Sequence, residues 1–344
     1  MSLSLNFLAV GNADCIILLE VDHTVVVDAP QLGRLRDWLK SRRRSHIDCL
    51  FFTHDHADHF SGLAAFAEFA RAWLDSTGTI GRVCLPARVL ERAKKKLIES
   101  PDAKKSSSAY LRLKAALSFF SERSWYRKLT PLSSGTVPLS IGDTTYTVLW
   151  PPTSAIETWS KAQQNALSLV LKVEHGPFAA LLMGDLDGDG LSNLVASASD
   201  PDPSIQPNLR ANLIKVPHHG AWPRKVDDFR SLLKRVDPEY AILSVGSTNT
   251  YRHVRPELFT ALLDLKRCGR LGGFACTEVT RTCVHSTTER EAMGRRGLPE
   301  RQPCAGDIEI EVGSEGDWRL TRAEIHAATV AKLPRAACRG TADL

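Results

Sequence analysis

Short apolar runs separated by turn residues dominate the start of the chain. LNFLAV, CIILLEV and TVVVDAP have the composition of strands, with GNAD and DHT between them as turns. LGRLRDWLKSRRR then has helical spacing, and IDCLFFT is a continuous apolar run typical of a strand buried on both faces. The pattern predicts a β-hairpin arrangement, then a helix, then a buried strand.

A similar mixture of strands and helices returns after residue 137. VPLSIGDTTYTVLWPP predicts one hairpin, and ALSLVLKVEHGPFAALLMGDL predicts a second that turns at His175-Gly176-Pro177. ANLIKVPHHG and YAILSVGS follow helix-like segments, and GFACTEV, TCVHS, DIEIEVG and WRLTR complete the predicted strands. Two β-rich halves with helices between them favour a single α/β domain over residues 1–325, layered α/β/β/α, with a C-terminal tail over 326–344.

Residues 85–130 form a basic, mainly helical insertion in this pattern. They hold twelve Lys and Arg against four acids, an excess larger than the net charge of +5 of the whole chain. Such a run is either the solvated face of a helix or a surface that collects phosphates. The lysines predicted to contact nucleic acid are Lys94, Lys95, Lys96, Lys104 and Lys105.

Aromatic residues accompany this basic run: Phe119, Phe120, Trp125 and Tyr126. Aromatic rings beside basic side chains suit single-stranded nucleic acid, because bases stack on the rings while Lys and Arg hold phosphates. The same rings could equally form the core face of a helix.

Composition narrows the class of protein. With 344 residues and 43% hydrophobic residues, the chain can bury a large core, which excludes general disorder. No run reaches 18 apolar residues, so no membrane span is expected. The N-terminal MSLSLNFLAVG has no basic stretch ahead of its apolar residues, which argues against a secretory signal. We therefore expect a cytoplasmic protein with its eight cysteines reduced.

The strongest chemical signal follows the buried strand IDCLFFT. Three histidines and two carboxylates occur within the six residues His54-Asp55-His56-Ala57-Asp58-His59. Imidazole nitrogen and carboxylate oxygen are ligands of zinc, manganese or iron. A loop leaving a strand can direct His54 and His56 at one metal, while Asp58 and His59 reach a second.

The spacing His54-x-His56-x-Asp58-His59 resembles the signature of the metallo-β-lactamase-fold hydrolases, and other segments strengthen the resemblance. Asp28 matches the aspartate that braces the metal loop in that family, and Gly184-Asp185 resembles the motif whose aspartate bridges two metals. One branch of the family contains the metal-dependent domain of ComEC-type DNA-uptake channels and its stand-alone relatives. The segments similar to that branch are FLAVGNADC, Asn165-x-x-Ser168, Val216-Pro217-His218-His219-Gly220 and Ser244-Val245-Gly246 followed by His253.

The resemblance implies a set of site residues and two divalent ions, zinc or manganese. The implied ligands are His54, His56, Asp58, His59, Asp185, His218 and His253. Of the two adjacent histidines we favour His218 as the ligand that completes the shell of the first metal, and expect His219 to face the substrate or to hydrogen-bond a ligand. We assign His219 and Asp58 as catalytic residues. Asp28, Asn165 and Ser168 support them. Ala221, Val254 and Ala13 depart from the branch at positions near the substrate, and leave the ligands intact.

Such a centre would hydrolyse its substrate with metal-activated water, without a Ser or Cys nucleophile. Because the fold does not select the bond that is cleaved, three hypotheses remain. The first is a phosphodiesterase, most simply a nuclease on DNA or RNA. The second is a hydrolase of small esters, lactones, thioesters or nucleotides. The third is an interaction module with a vestigial site.

Other chemistry-bearing residues give weaker signals. Cys276, Cys283, His285 and Cys304 form a candidate structural zinc site, although their spacing matches no standard finger and separate core cysteines are the alternative. His175 lies at a hairpin turn far from Asp185, so we predict that it is no ligand. His326 is expected at the surface. The loop from Asp185 to Gly190 lacks the final Glu of a calcium loop, so no calcium site is predicted.

Overall fold

The computed structural model describes residues 2–86, 88–122, 132–159, 163–198, 207–221, 226–333 and 335–339. Two sheets of seven strands each lie face to face. Within the described ranges, no helix combines the length and apolarity that crossing a membrane requires.

The first sheet joins both ends of the described chain. Its strands, in sheet order, are β14 (Trp318–Leu320), β13 (Ile308–Val312), β1 (Leu3–Phe7), β2 (Ile16–Leu19), β3 (Thr24–Val27), β4 (His46–Phe51) and β5 (Thr79–Cys84). The first five pair antiparallel, whereas β3, β4 and β5 run parallel, so the segments that follow these three strands leave the sheet at one edge.

The second sheet also has an antiparallel part and a parallel part. Its strands, in sheet order, are β12 (Gly273–Cys276), β11 (Tyr240–Leu243), β10 (Leu213–Lys215), β9 (Phe178–Leu182), β8 (Val170–His175), β7 (Thr144–Trp150) and β6 (Leu139–Ile141). The strands from β9 to β12 are parallel, and those from β6 to β9 are antiparallel.

Helices cover the outer face of each sheet. They are α1 (Leu32–Ser41), α2 (Leu63–Asp75), α3 (Val89–Ile98), α4 (Ser108–Glu122), α5 (Thr153–Thr158), α6 (Gly188–Ser197), α7 (Val226–Val236), α8 (Pro256–Arg267), α9 (Arg281–Val284), α10 (Thr287–Ala292) and α11 (Ala323–Lys332). One apolar core lies between the sheets, and two others lie between a sheet and its helices. The predicted four-layer α/β/β/α sandwich is thereby confirmed.

In its described residues the basic insertion contains two helices, α3 and α4, which pack on each other, and α4 also packs on α2. Phe120 is fully buried with its ring 5.8 Å from that of Phe66, and Phe119 is 4% exposed with Arg71 over its face. The two rings therefore belong to the core and are not available to stack on bases. Trp125 and Tyr126 lie outside the described residues.

The structure differs from the sequence-based expectations at three points of the C-terminal region. TCVHS is not a strand, because Arg281–Val284 form a helical turn. The boundary at residue 325 falls inside α11, and Val330, Ala336 and Cys338 beyond it are part of a buried core. His326, which we expected at the surface, is only 1% exposed, because the face of α11 that carries it packs against the domain.

Candidate metal centre

The predicted site residues follow strands that end at neighbouring positions of the two sheets. Asp28 comes directly after β3, His54 follows β4, and Asp185 follows β9. The adjacent His218 and His219 follow β10. Since β3 and β4 are parallel, as are β9 and β10, these residues gather at one edge of the sandwich.

Asp28 holds the histidine loop in place. Its Oδ1 accepts a hydrogen bond from the Thr53 backbone at 2.7 Å, and its Oδ2 accepts one from Thr53 Oγ1 at 2.8 Å. His59 Nδ1 donates to the same Oδ2 at 2.6 Å. Asp28 is fully buried, with φ at +60°, a conformation that few non-glycine residues adopt. The predicted bracing role of this carboxylate agrees with these contacts.

One oxygen of Asp185 faces two histidines. His59 Nε2 lies 3.0 Å from Asp185 Oδ1, and His219 Nε2 lies 3.3 Å from it. The two Nε2 atoms are 3.2 Å apart. His219 Nδ1 is 2.9 Å from the carbonyl oxygen of Ser244, an acceptor that holds the proton on Nδ1 and leaves Nε2 as a lone pair.

These three atoms fit a metal ion. Ligands about 2.0–2.1 Å from a tetrahedral ion lie about 3.3–3.4 Å from one another, close to the three separations between His59, His219 and Asp185. Asp185 Oδ1 is buried and makes no hydrogen bond of acceptable geometry. A cation at the centre of the three atoms would satisfy this oxygen and both nitrogens together.

The other oxygen of Asp185 faces a second group of ligands. His54 Nε2 lies 3.9 Å from Asp185 Oδ2, and His218 Nε2 lies 3.8 Å from the same oxygen. His56 Nδ1 is 3.1 Å from His54 Nε2, and a ligand atom of Asp58 lies within 4.8 Å of both histidines. Asp185 therefore faces possible metal ligands with both of its oxygens.

His218 and His219 reach opposite oxygens of Asp185 because of an unusual backbone. Their φ angles are +50° and +51°, in the left-handed region that costs non-glycine residues free energy. His218 Nε2 lies on the same side of Asp185 as His54 Nε2, and its role as a ligand stays a prediction. His219 is completely buried and lies against the other oxygen of Asp185, and its catalytic role likewise stays a prediction.

The remaining predicted residues lie around this cluster. Ser168 Oγ accepts the Asp185 backbone N–H at 2.9 Å, and Asn165 Nδ2 lies 3.3 Å from His218 Nε2. His253 is 6% exposed with its ring centroid 5.3 Å from that of His218, and its Nδ1 has no hydrogen-bond partner. His175 contacts Thr144 Oγ1 at 2.9 Å and takes no part in the site, as expected.

Sequence reasoning missed Asp14 and Lys215. Both are buried, with the Lys215 ammonium group against Asp14 Oδ2 and donating to the Gly184 carbonyl at 2.9 Å. A ligand atom of Asp14 lies within 4.8 Å of those of His59, Asp185 and His219. The signals were the aspartate of the GNAD turn and a single lysine in the apolar segment LIKV.

Burial and charge together shift the pKa values of the cluster. Burial lowers the pKa of His59, but Asp185 and Asp28 outweigh it and hold that pKa well above its usual value. Burial raises the pKa of Asp58, but a hydrogen bond with His219 and the nearby His59 lower it to about 2. Burial, followed by His218, lowers the pKa of His253 to about 3. The Asp58 carboxylate therefore stays ionised in this centre.

Metal binding should weaken on acidification. Only a His59 side chain with a deprotonated Nε2 can bind a metal. Because the pKa of His59 is raised, this nitrogen stays protonated up to a higher pH than in an ordinary histidine. Affinity should therefore be full above that pKa and fall below it by about tenfold per pH unit for each proton that competes. Equilibrium dialysis against Zn²⁺ and Mn²⁺ across mildly acidic to neutral pH measures this. An affinity independent of pH would contradict the assignment of His59.

The predicted cysteine site does not form as a unit. The structure gathers Cys304, His326 and Cys338, with one ligand atom of each within 4.8 Å of the others. Cys283 instead contacts Thr280 Oγ1 at 3.6 Å, and His285 follows α9 with partial exposure. Sequence spacing misled here because two of the three residues lie on the C-terminal segment that we had treated as a tail.

No protein-family model matches the chain. It is 31% identical over 124 residues to ComE operon protein 3 of Bacillus subtilis (strain 168), covering 36% of this chain and 14% of that protein. Competence protein ComA of Neisseria gonorrhoeae is 36% identical over 89 residues, covering 26% of this chain and 11% of that protein. The chain thus spans a small part of the length of both relatives.

Among solved structures, the metallo-β-lactamase fold protein YhfI from Bacillus subtilis is similar to this chain with a TM-score of 0.44 and 10% identity. The match covers 76% of this chain and 93% of that chain. The predicted resemblance to the metallo-β-lactamase fold is confirmed in this chain's own architecture, which places the histidine motif and Asp185 together at one edge of a four-layer sandwich.

Proposed function

We propose that this chain with a metallo-β-lactamase-type fold is a two-metal phosphodiesterase that acts on DNA or RNA. The observation that carries the proposal is a basic groove that begins at the histidine loop. A sequence relative named as a competence protein, ComA of Neisseria gonorrhoeae, supports the same direction.

The basic groove has a volume of about 820 Å³ and lies between the histidine loop and the basic insertion. Arg92 Nη2 donates to Asp55 Oδ2 at 2.6 Å, and this ion pair fixes α3 against the loop that carries His54 and His56. The cationic side chains that line the groove are Arg92, Lys95, Lys96 and Lys104. A phosphate backbone lying along it would lead directly to the metal ligands.

Three of the five predicted lysines take part in this groove. Lys95 lies 3.7 Å from Glu99, whereas Lys96 and Lys104 have no carboxylate partner in the part of the chain that the structure describes. Lys105 pairs with Asp102 at 2.6 Å, and neither Lys105 nor Lys94 lines the groove. Two lysines with uncompensated charge, Lys96 and Lys104, therefore line the path to the site.

The residues of the centre divide the work of hydrolysis. When bound, a pair of divalent ions supplies Lewis-acid chemistry that activates water and neutralises charge on phosphoryl oxygens. His54, His56, His59, Asp185 and the adjacent His218 and His219 would hold that pair. Asp58 is about one third exposed, and its low pKa keeps it ionised. One of its oxygens can therefore accept a hydrogen bond from an attacking water and orient it.

Neutralising the groove should weaken polymer binding without changing the chemistry. In the triple variant Lys95→Gln/Lys96→Gln/Lys104→Gln, each lost phosphate contact should reduce the log–log salt slope of DNA or RNA binding by about one unit. Hydrolysis of a nitrophenyl phosphodiester should persist, because the lysines position the polymer and are not metal ligands. Fluorescence anisotropy over a salt series measures nucleic-acid binding. A colorimetric assay measures hydrolysis of the nitrophenyl phosphodiester.

Lys94→Gln and Lys105→Gln provide the matched controls, since both lysines are exposed on the same insertion and neither lines the groove. They should leave the salt slope almost unchanged. Equal binding by the triple variant and the unmodified protein would instead favour a small-molecule hydrolase. Metal-dependent cleavage of labelled single- and double-stranded DNA and RNA by the unmodified protein tests the activity itself.

A further inference from the structure

A second group of metal-ligand side chains lies in the core around the end of β12. Cys304 precedes β13, His326 lies on α11, and Cys338 follows that helix. Their exposed fractions are 2%, 1% and 2%. None of the three belongs to the groups of ligands around Asp185 or His54.

These three side chains are close enough to share one ion. One imidazole nitrogen and two sulfur atoms lie within 4.8 Å of one another. His326 Nε2 is buried and has no hydrogen-bond partner, which is costly for a polar atom in an apolar core. Both sulfurs are thiols, not a disulfide. Two thiolates and an imidazole form a donor set that prefers zinc.

We propose that Cys304, His326 and Cys338 bind a structural zinc ion, with Cys276 as the fourth ligand. Structural zinc requires four ligands. The backbone brings Cys276 beside the group, because the Ala305 N–H donates to the Cys276 carbonyl at 3.0 Å and the Cys304 N–H donates to the Thr277 carbonyl at 3.1 Å.

Cys276 fits the fourth position better than Cys283. Both thiols are buried in the same core. The sulfur of Cys283 is already in contact with Thr280 Oγ1 at 3.6 Å, whereas the carbonyl of Cys276 accepts the N–H of Ala305, the residue next to Cys304.

Burial makes the sulfurs of this group dependent on a partner. Cys304 and Cys338 are each 2% exposed, so a thiolate at either position would have no water to solvate it. A thiolate in an apolar core is stable only with a cationic partner nearby. Zinc would supply that charge.

A zinc ion at this site would connect two parts of the chain that are far apart in sequence. Cys276 and Cys304 belong to the edge of the sandwich, whereas His326 and Cys338 belong to α11 and the segment after it. One ion shared between them would fasten the C-terminal helix to the domain. Because the ligands are different from those at Asp185, the site is independent of the proposed hydrolysis.

Cobalt substitution distinguishes this site from the catalytic centre. The full-length protein, loaded with Co²⁺ under reducing conditions, should show sulfur-to-cobalt charge-transfer absorption, which nitrogen and oxygen ligands cannot produce. Cys338→Ser and His326→Gln should lose or shift this absorption and bind one zinc ion fewer per chain. Cys268→Ser changes an exposed cysteine outside the group, and this variant should keep both the charge-transfer absorption and the bound zinc.

Two results would overturn the proposal. One is the absence of charge-transfer absorption in the unmodified protein, and the other is full retention of absorption and zinc by Cys338→Ser. If the variants fail to fold, an organomercurial titration of the unmodified protein decides, since modifying the thiols should release one zinc ion per chain. A Cys304–Cys338 disulfide found by non-reducing peptide mapping of zinc-loaded protein would equally exclude the site.

Discussion

Replacing Asp185 by alanine should abolish hydrolysis and release at least one of the two proposed metal ions. Asp185 Oδ1 faces His59 and His219, and its Oδ2 faces His54 and His218, so one truncation removes a ligand from both positions. Loss of a residue that only supports a metal ligand costs about 10–100-fold in affinity or activity. Loss of the bridging ligand should therefore reduce turnover by at least about a hundredfold.

Asp187→Ala is the matched control for this experiment. Asp187 lies two residues away and contacts His218 Nδ1 at 2.8 Å, but it is not a member of either ligand group. It should lower activity less than Asp185→Ala, with both ions retained. Elemental analysis and turnover of the two purified variants, with circular dichroism as a check of folding, measure the difference. Unchanged metal content and turnover in Asp185→Ala would remove the two-metal assignment.

Asp28→Asn should weaken metal binding by about 10–100-fold, although Asp28 is not a ligand. Its carboxylate accepts from the Thr53 N–H, Thr53 Oγ1 and His59 Nδ1 with two oxygens. Asparagine keeps a single acceptor oxygen and presents an NH₂ group to one of these donors. The His59 ring then loses the partner that directs Nε2 at Asp185, and the buried mismatch should cost about 1–3 kcal/mol of folding free energy.

Asp48→Asn provides a comparable change away from the centre. Asp48 also joins a histidine to a backbone, accepting from His23 Nδ1 at 3.0 Å and from the Thr24 N–H at 2.7 Å. Its substitution should leave zinc affinity unchanged. Competition with a chelator of known affinity measures the zinc affinity of both variants. Urea denaturation measures their free energy of unfolding. Equal zinc affinity in Asp28→Asn and the unmodified protein would show that Asp28 does not orient His59.

Much of the fold and part of the centre could be predicted from local sequence. Strand periodicity, the continuous run IDCLFFT and two β-rich halves were enough to predict a four-layer sandwich. The histidine motif was recognisable because its residues follow one strand within six positions, and a strand end determines where such a short loop lies. Asp28 and Asp185 were identified through the resemblance to the metallo-β-lactamase-fold hydrolases, and both come shortly after an apolar strand.

The tertiary structure alone decided which distant residues share a site. His218 and His219 have nearly the same sequence context, and only the left-handed backbone after β10 directs them to opposite oxygens of Asp185. Asp14 and Lys215 meet across about 200 residues, a pairing that no periodicity encodes. Phe119 and Phe120 became core residues because α4 packs on α2. Likewise, Cys304 meets His326 and Cys338 because α11 folds back onto the domain. Local spacing determines which way a side chain leaves its own strand or helix, whereas long-range packing determines what it meets there.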